Sequence, residues 1–406
     1  MVMRATRLAL LLVAGLALSA GAEQVARPEV GERVKEAQAL LERKDFAAAL
    51  ARLDEAEAAK DKTPYEVYVI EATRASAELG AGDDAAALKA LEATLASGIP
   101  AGAERLARIE TEAELAFRLK SYDAALAYAQ HYYQEGGTAP TLRPLIAEAF
   151  CLKGDFAAAE GAARDVVAAE VRSGKAADEN LLLLMASSAA KQGDDAGYRD
   201  ALTRLVASHP KPDYWRALLA AVARMPGFAP RLALDLDRLR IATGTLESAG
   251  QYMEAAERAL SDGFPGDARA FLEQGRAAGI LGEGADKAKE AQLLDMATRQ
   301  AREDATSFPA LAKEAAAAAD GAPWEKLGEA YASLGRYEQA IAAYEHALGK
   351  GGLKHPDDAR LHLGIAALDG GDKVRAKKAL AAVAGHDGSA ALASLWLVYA
   401  GAERPM

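Results

Sequence analysis

Residues 324–347 read Trp324-Glu-Lys-Leu327-Gly328-Glu-Ala-Tyr331-Ala-Ser-Leu-Gly335-Arg-Tyr337-Glu-Gln-Ala340-Ile-Ala-Ala-Tyr344-Glu-His-Ala347. Leu327 and Tyr331 are one helical turn apart and share a face, as do Ala340 and Tyr344 further on. Gly335 between the two stretches is a helix stop. The spacing describes two antiparallel helices. Gly328 on the first and Ala340 on the second are small enough to let the backbones approach closely, and Ala347 leaves room for a neighbour. A hairpin this small cannot bury its apolar face alone, so it predicts further hairpins stacked beside it.

The same frame recurs. Leu363-Gly364, Gly371-Asp372, Ala376 and Leu380 follow directly. Upstream it fits Ala147, Phe150, Gly154-Asp155-Phe156, Ala159 and Val166, and again Ala75, Leu79, Gly82-Asp83, Ala87 and Leu91. It fits Ala37, Leu40, Asp45-Phe46, Ala49 and Leu53, and more loosely Ala256, Gly263, Ala268 and Leu272. In each unit a small residue is followed by another twelve positions later. The turns are the sharper signal, because Ala is abundant throughout. Gly82-Asp83, Gly154-Asp155, Gly193-Asp194 and Gly371-Asp372 place a helix-ending Gly before a helix-capping Asp.

Some stretches depart from the frame. Around Lys120-Ser121-Tyr122, Glu112 stands in the Leu slot and Ala129 in the Phe slot, and Tyr198 takes the small position after Gly193. From Pro210 to about Ala319 the pattern is helical but worn. There Tyr214 to Val222 and Leu232 to Leu239 read as one degenerate pair, and Lys287–Asp304 with Ala310–Ala319 as another. Abundant Ala and Leu, with few β-branched residues in alternation, make the chain all-α.

Met1–Ala22 reads as a secretory signal peptide: Arg4 and Arg7, an apolar run from Leu8 to Leu18, then Ala20-Gly21-Ala22 as a cleavage site. The run is too short to span a bilayer, and Ala22 stands where a lipoprotein needs Cys. A periplasmic protein that is neither anchored nor membrane-inserted is the expectation. Net charge is −11, or −13 without the two signal arginines (46 basic against 59 acidic), which disfavours nucleic acid as a partner. Cys151 is the only cysteine and reads as a small buried hydrophobe.

No motif for catalysis, cofactor or metal is found. His355 and His362 are seven apart, but His355 precedes Pro356, outside the expected helix, so both read as polar surface or groove residues. Gly349-Lys350-Gly351-Gly352 lacks the order of a phosphate loop, and no G-x-S-x-G occurs. The chain is therefore read as a non-enzyme without cofactors. Tyr128, His131 and Tyr132 share a helical face, where aromatics most simply fill the seams between hairpins. Ser389 to Ala400 carries Leu392, Leu395, Trp396 and Tyr399 on one stripe and has almost no polar face. It is expected either to cap the array or to dock a partner or second copy.

The W-x2-L-G-x2-Y…A-x3-F spacing of Trp324–Tyr344 resembles the tetratricopeptide repeat, with Tyr344 in the Phe slot. The resemblance implies a right-handed α-solenoid of stacked hairpins with a C-terminal capping helix, an open ribbon with no enclosed chamber. On this reading 1–22 is the signal peptide and 23–209 an N-terminal array. Residues 210–320 are degenerate repeats continuing the solenoid, and 321–406 are a C-terminal pair plus the cap. The first helix of each repeat would line a groove, at Val34, Ala72, Ser76, Glu110, Glu114, Glu148, Glu325, Glu329, Leu361 and Ile365 among others. Family members that hold a peptide carboxylate use Lys and Asn there. Here Glu110, Glu114, Glu148, Glu325 and Glu329 imply a basic or amphipathic partner segment instead.

Lys211-Pro212-Asp-Tyr-Trp215, Arg231-Leu-Ala-Leu-Asp235 and Gly351–Gly364 further resemble a group of periplasmic tetratricopeptide repeat proteins of proteobacteria. Some of that group are assigned to TonB-type energy-transduction systems. The function implied is an adaptor or scaffold for envelope proteins. The rival is a protein that binds peptides or peptidoglycan in the groove.

Overall fold

The structure, a computed structural model, describes residues 25–401; the expected signal segment lies outside the described residues. These residues form helices, turns and loops without a strand.

Residues 25–173 form one compact unit of four hairpins. They are α1 (Pro28–Glu42) with α2 (Phe46–Glu57), α3 (Pro64–Ala81) with α4 (Asp84–Ala96), α5 (Gly102–Arg118) with α6 (Tyr122–Gln134), and α7 (Leu142–Lys153) with α8 (Phe156–Arg172). The second unit, residues 174–401, begins with α9 (Glu179–Gln192), α10 (Asp195–Ser208) and α11 (Pro212–Ala223). A short 3-10 turn leads into α12 (Ala233–Ala242), followed by α13 (Ala249–Ser261), α14 (Pro265–Ala277) and α15 (Lys287–Ala317). The unit ends with α16 (Ala322–Ser333), α17 (Tyr337–Lys350), α18 (Pro356–Asp369), α19 (Lys373–Ala381) and α20 (Ser389–Gly401).

The hairpins close where the sequence places small residues. Ala37 and Ala49, Ala75 and Ala87, Ala113 and Ala125, Ala147 and Ala159, and Ala256 and Ala268 are each no more than 1% exposed. Gly328 takes the same place in the α16–α17 hairpin. A Cβ there would sit 2.9 Å from the ring of Tyr344, closer than side-chain carbons approach. The turns behave as their residues dictate. Gly82 ends α3 at φ 85°, a left-handed conformation with no steric cost for Gly, and the Asp83 carboxylate accepts the Ala86 amide at 2.9 Å. Asp45, Asp155, Asp194 and Asp372 cap α2, α8, α10 and α19 in the same way.

Three local readings need correction. Residues 287–319 are not two helices but the single 31-residue α15, with Pro309 inside it. No glycine interrupts that stretch, and Phe308 anchors its middle by packing against Tyr331, ring centroids 4.6 Å apart. Cys151 is only half-buried: Ala147 and Ala149 take the inner face of α7, and Cys151 is left beside the exposed Leu152. Leu361 is sealed from any groove, and Ile365 reaches only the wall of a cavity. Both are buried, since α18 is covered by α20 as well as by its hairpin partner.

The second unit is also not an open ribbon. α20 packs on α10, α12, α18 and α19. Leu392, Leu395 and Trp396 are buried, and the Tyr399 ring meets Trp215 at 6.5 Å and Trp396 at 5.6 Å. The Ala229 amide donates to the Asp387 carbonyl at 2.8 Å, and Gly388 lies where a Cβ would strike the Phe228 ring. An apolar helix with no polar face has to be covered, and here the chain covers it with α18 and α19 together with α10 and α12.

Glu112 fills a Leu slot with only 2% exposure. Burial pushes its carboxyl up to about 8, with Glu92 adding and Arg105 opposing. Folding therefore binds a proton there, and stability declines as pH rises from 4.5 through about 8. We expect the wild-type thermal midpoint to fall across that window and Glu112→Gln to flatten the fall; parallel melting curves against pH for the two proteins would contradict this.

Candidate functional site

Two groups of ionisable residues stand out, one in each unit. In the first unit Glu110 and Glu114 occupy successive turns of α5, and Glu148 lies on α7, which packs against α5. All three are half-buried. Glu110 accepts the Thr141 hydroxyl at the start of α7. Burial lifts the Glu114 carboxyl above its ordinary range, and the neighbouring Glu110 lifts it further. Glu148 is raised by burial. The result is a face on which acidic groups are partly desolvated.

The second group is a buried ion cluster that joins the central helices to the last repeats. Asp235, on α12, is 2% exposed. It accepts from Arg238, one turn on, at 2.7 Å and lies 3.0 Å from His362 Nε2 on α18, 127 residues away. Arg238 also donates to Asp267 on α14 at 2.8 Å. His362 Nδ1 faces Glu329 at 3.5 Å. Alongside, Arg231 forms a two-pronged pair with Asp358 at 2.6 and 3.0 Å and also donates to Asp387. Such forked arginine pairs fix geometry as well as charge.

Burial alone would neutralise these groups, so their protonation reports on their partners. Burial opposes charge on Asp235, yet His362 and Arg238 hold its carboxyl down at about 2. Burial likewise opposes charge on His362, but Asp235 and then Glu329 push it up to about 9. Glu325, one turn before Glu329 on α16, is raised to about 7 by burial and by Glu329. Glu329 is raised by burial, against the pull of His362. Together with Arg231, Arg238 and Asp358 these residues line a cleft of about 360 Å³.

The expected site residues are thus divided. Glu110, Glu114 and Glu148 share neighbouring helices of the first unit, whereas Glu325 and Glu329 face the cleft of the second. Leu392, Leu395, Trp396 and Tyr399 are held inside the second unit on α20. His362, read from sequence as a polar surface or groove residue, lines the cleft and is mostly buried as one centre of the ion cluster. Arg231 and Asp235 were read from sequence only as part of a resemblance, and Arg238 not at all; none was given a site role. The available signal was Asp235 and Arg238 interrupting the apolar run Leu232, Leu234, Leu236 and Leu239, a position where charge survives only with a partner.

Residues 181–212, spanning α9 and α10, and residues 325–350, spanning α16 and α17, match the tetratricopeptide repeat family model. Solved structures with similarity include a tetratricopeptide repeat protein from Parabacteroides merdae, at 14% identity and TM-score 0.35, over 66% of this chain and 99% of that one. Another is the C-terminal part of a TPR repeat-containing protein from Cytophaga hutchinsonii, at 14% identity and TM-score 0.35, over 80% and 98%. A third is the TPR2AB domain of yeast Sti1 in complex with pHSP90, at 14% identity and TM-score 0.26, over 74% and 99%. No curated protein matches the chain. The second matched stretch carries Glu325 and Glu329 on its first helix, so part of the ion cluster lies within it.

Removing Asp235 would leave Arg238 and His362 buried with too little counter-charge. Asp235→Ala is expected to cost about 3–5 kcal/mol in urea unfolding. In the wild type, His362's stabilisation is complete below its ordinary 6.5 and is lost as pH rises through about 9. Its imidazole resonances should titrate near 9 in the intact protein. Titration near 6.5 would mean that the pair with Asp235 does not form.

Proposed function

We propose that this chain is an adaptor that holds other proteins in the bacterial periplasm, within an envelope complex of the TonB energy-transduction type. Stacked hairpins of this kind present extended surfaces to other chains, and two of the hairpins match the tetratricopeptide repeat family model. The observation that carries the reading is the face formed by Glu110, Glu114 and Glu148. Its carboxyls are half-buried, and those of Glu114 and Glu148 are raised by burial. A Lys- or Arg-bearing segment laid across α5 and α7 would supply the counter-charge that solvent supplies only in part. The periplasmic assignment rests on the pattern of Met1–Ala22, and the TonB assignment on the resemblance of Lys211–Trp215, Arg231–Asp235 and Gly351–Gly364.

In-cell crosslinking of the tagged protein, followed by mass spectrometry, tests the reading. Recovery of inner-membrane transport components supports it; recovery of self-crosslinks alone contradicts an adaptor. The combined variant Glu110→Lys, Glu114→Lys and Glu148→Lys should lose at least about tenfold in partner recovery while its helical circular dichroism stays unchanged. Undiminished recovery would remove this face from the account.

A further inference from the structure

A second cavity, of about 300 Å³, lies in the second unit, and Arg238 and His362 form part of the wall of both it and the charged cleft. Its size is at the small end of the range for ligand pockets. Five aromatic side chains line it: Phe271, Tyr337, Tyr344, Trp396 and Tyr399. They come from α14, α17 and α20, so the cavity exists only because α20 folds back into the unit. Phe271, Tyr344 and Trp396 are at most 4% exposed and make a rigid apolar floor. Tyr337 and Tyr399 are half-buried and leave ring surface toward the opening.

The polar part of the lining is arranged for hydrogen bonding rather than for charge. Asp267 is held by Arg238 at 2.8 Å, and His362 by Asp235 at 3.0 Å, so these charges are already matched. A paired carboxylate keeps lone pairs for further donors. Ser333 Oγ accepts the Asp267 amide at 3.0 Å, which leaves its hydroxyl proton to donate elsewhere. The exposed Gln274 offers an amide whose one nitrogen contact, to the Ile241 carbonyl, is long at 3.4 Å.

We propose that this cavity is a carbohydrate subsite that takes one neutral pyranose unit. A pyranose has an apolar C–H face that fits against aromatic rings and a rim of hydroxyls that both donate and accept. A charged ligand of either sign gains little here, because Arg238 is paired with Asp267 and His362 with Asp235. The site is independent of the acidic face on the first unit, so it stands or falls apart from the adaptor reading.

The test is calorimetric titration of the purified full chain with N-acetylglucosamine and glucose, with free lysine as the charged comparator, alongside tryptophan fluorescence. The expected result is saturable binding of at least one sugar, with a fluorescence change, and none of lysine. Tyr337→Ala should weaken that binding by about tenfold and Gln274→Ala by a smaller factor. Gln274 is exposed, so its variant keeps the test valid if Tyr337→Ala fails to fold. No saturable binding of either sugar, saturable binding of lysine instead, or sugar binding unaffected by Gln274→Ala and by a folded Tyr337→Ala would each overturn the proposal.

Discussion

Everything in this structure depends on how closely two helices can approach. Ala113 and Ala125, or Ala147 and Ala159, are fully buried at the contact between paired helices, where a longer side chain would force the axes apart. Twelve residues separate the partners because one helix must end, turn and run back far enough to bring the second small residue opposite the first. That constraint sets the hairpin. The hairpin in turn leaves an apolar face that only another hairpin can cover, and stacking follows.

The second unit adds a different device. Its last helix has no polar face, and α12, α14, α16 and α18 bring Asp235, Arg238, Asp267, Glu329 and His362 into one buried cluster. Replacing such a cluster with apolar residues can leave a protein equally stable, so its value is better sought in specificity. Here it joins residues more than a hundred positions apart and defines two cavities that share Arg238 and His362 as wall. The Arg231–Asp358 pair does the same on a neighbouring path. Charges that satisfy one another in only one arrangement select that arrangement over near alternatives.

Much of the fold was legible in the sequence because its signals are local. Gly82-Asp83 and Gly154-Asp155 announce a stop and a start within two residues, and the small-residue spacing lies within a single hairpin. What was not legible is what depends on long range. The worn pattern suggested a break between 304 and 310, but α15 runs through it, with Phe308 packed on Tyr331. The closure of the second unit could not be read, since nothing near Asp235 names His362 as its partner. The candidate site divides along the same line. Glu110 and Glu114 follow from helical spacing on α5, whereas the burial of Glu325 and Glu329 beside His362 depends on elements that meet only in the folded chain.

Substituting one small residue at a hairpin contact, beside a matched control on the same helix, tests this account most directly. Ala340 is fully buried against α16, and Ala342, two residues on, is exposed. Urea unfolding of Ala340→Leu should show a loss of about 1–3 kcal/mol from overpacking. Ala342→Leu should stay within about 0.5 kcal/mol of the wild type. Equal stability of the two variants would contradict the claim that close approach at small residues holds the hairpins together.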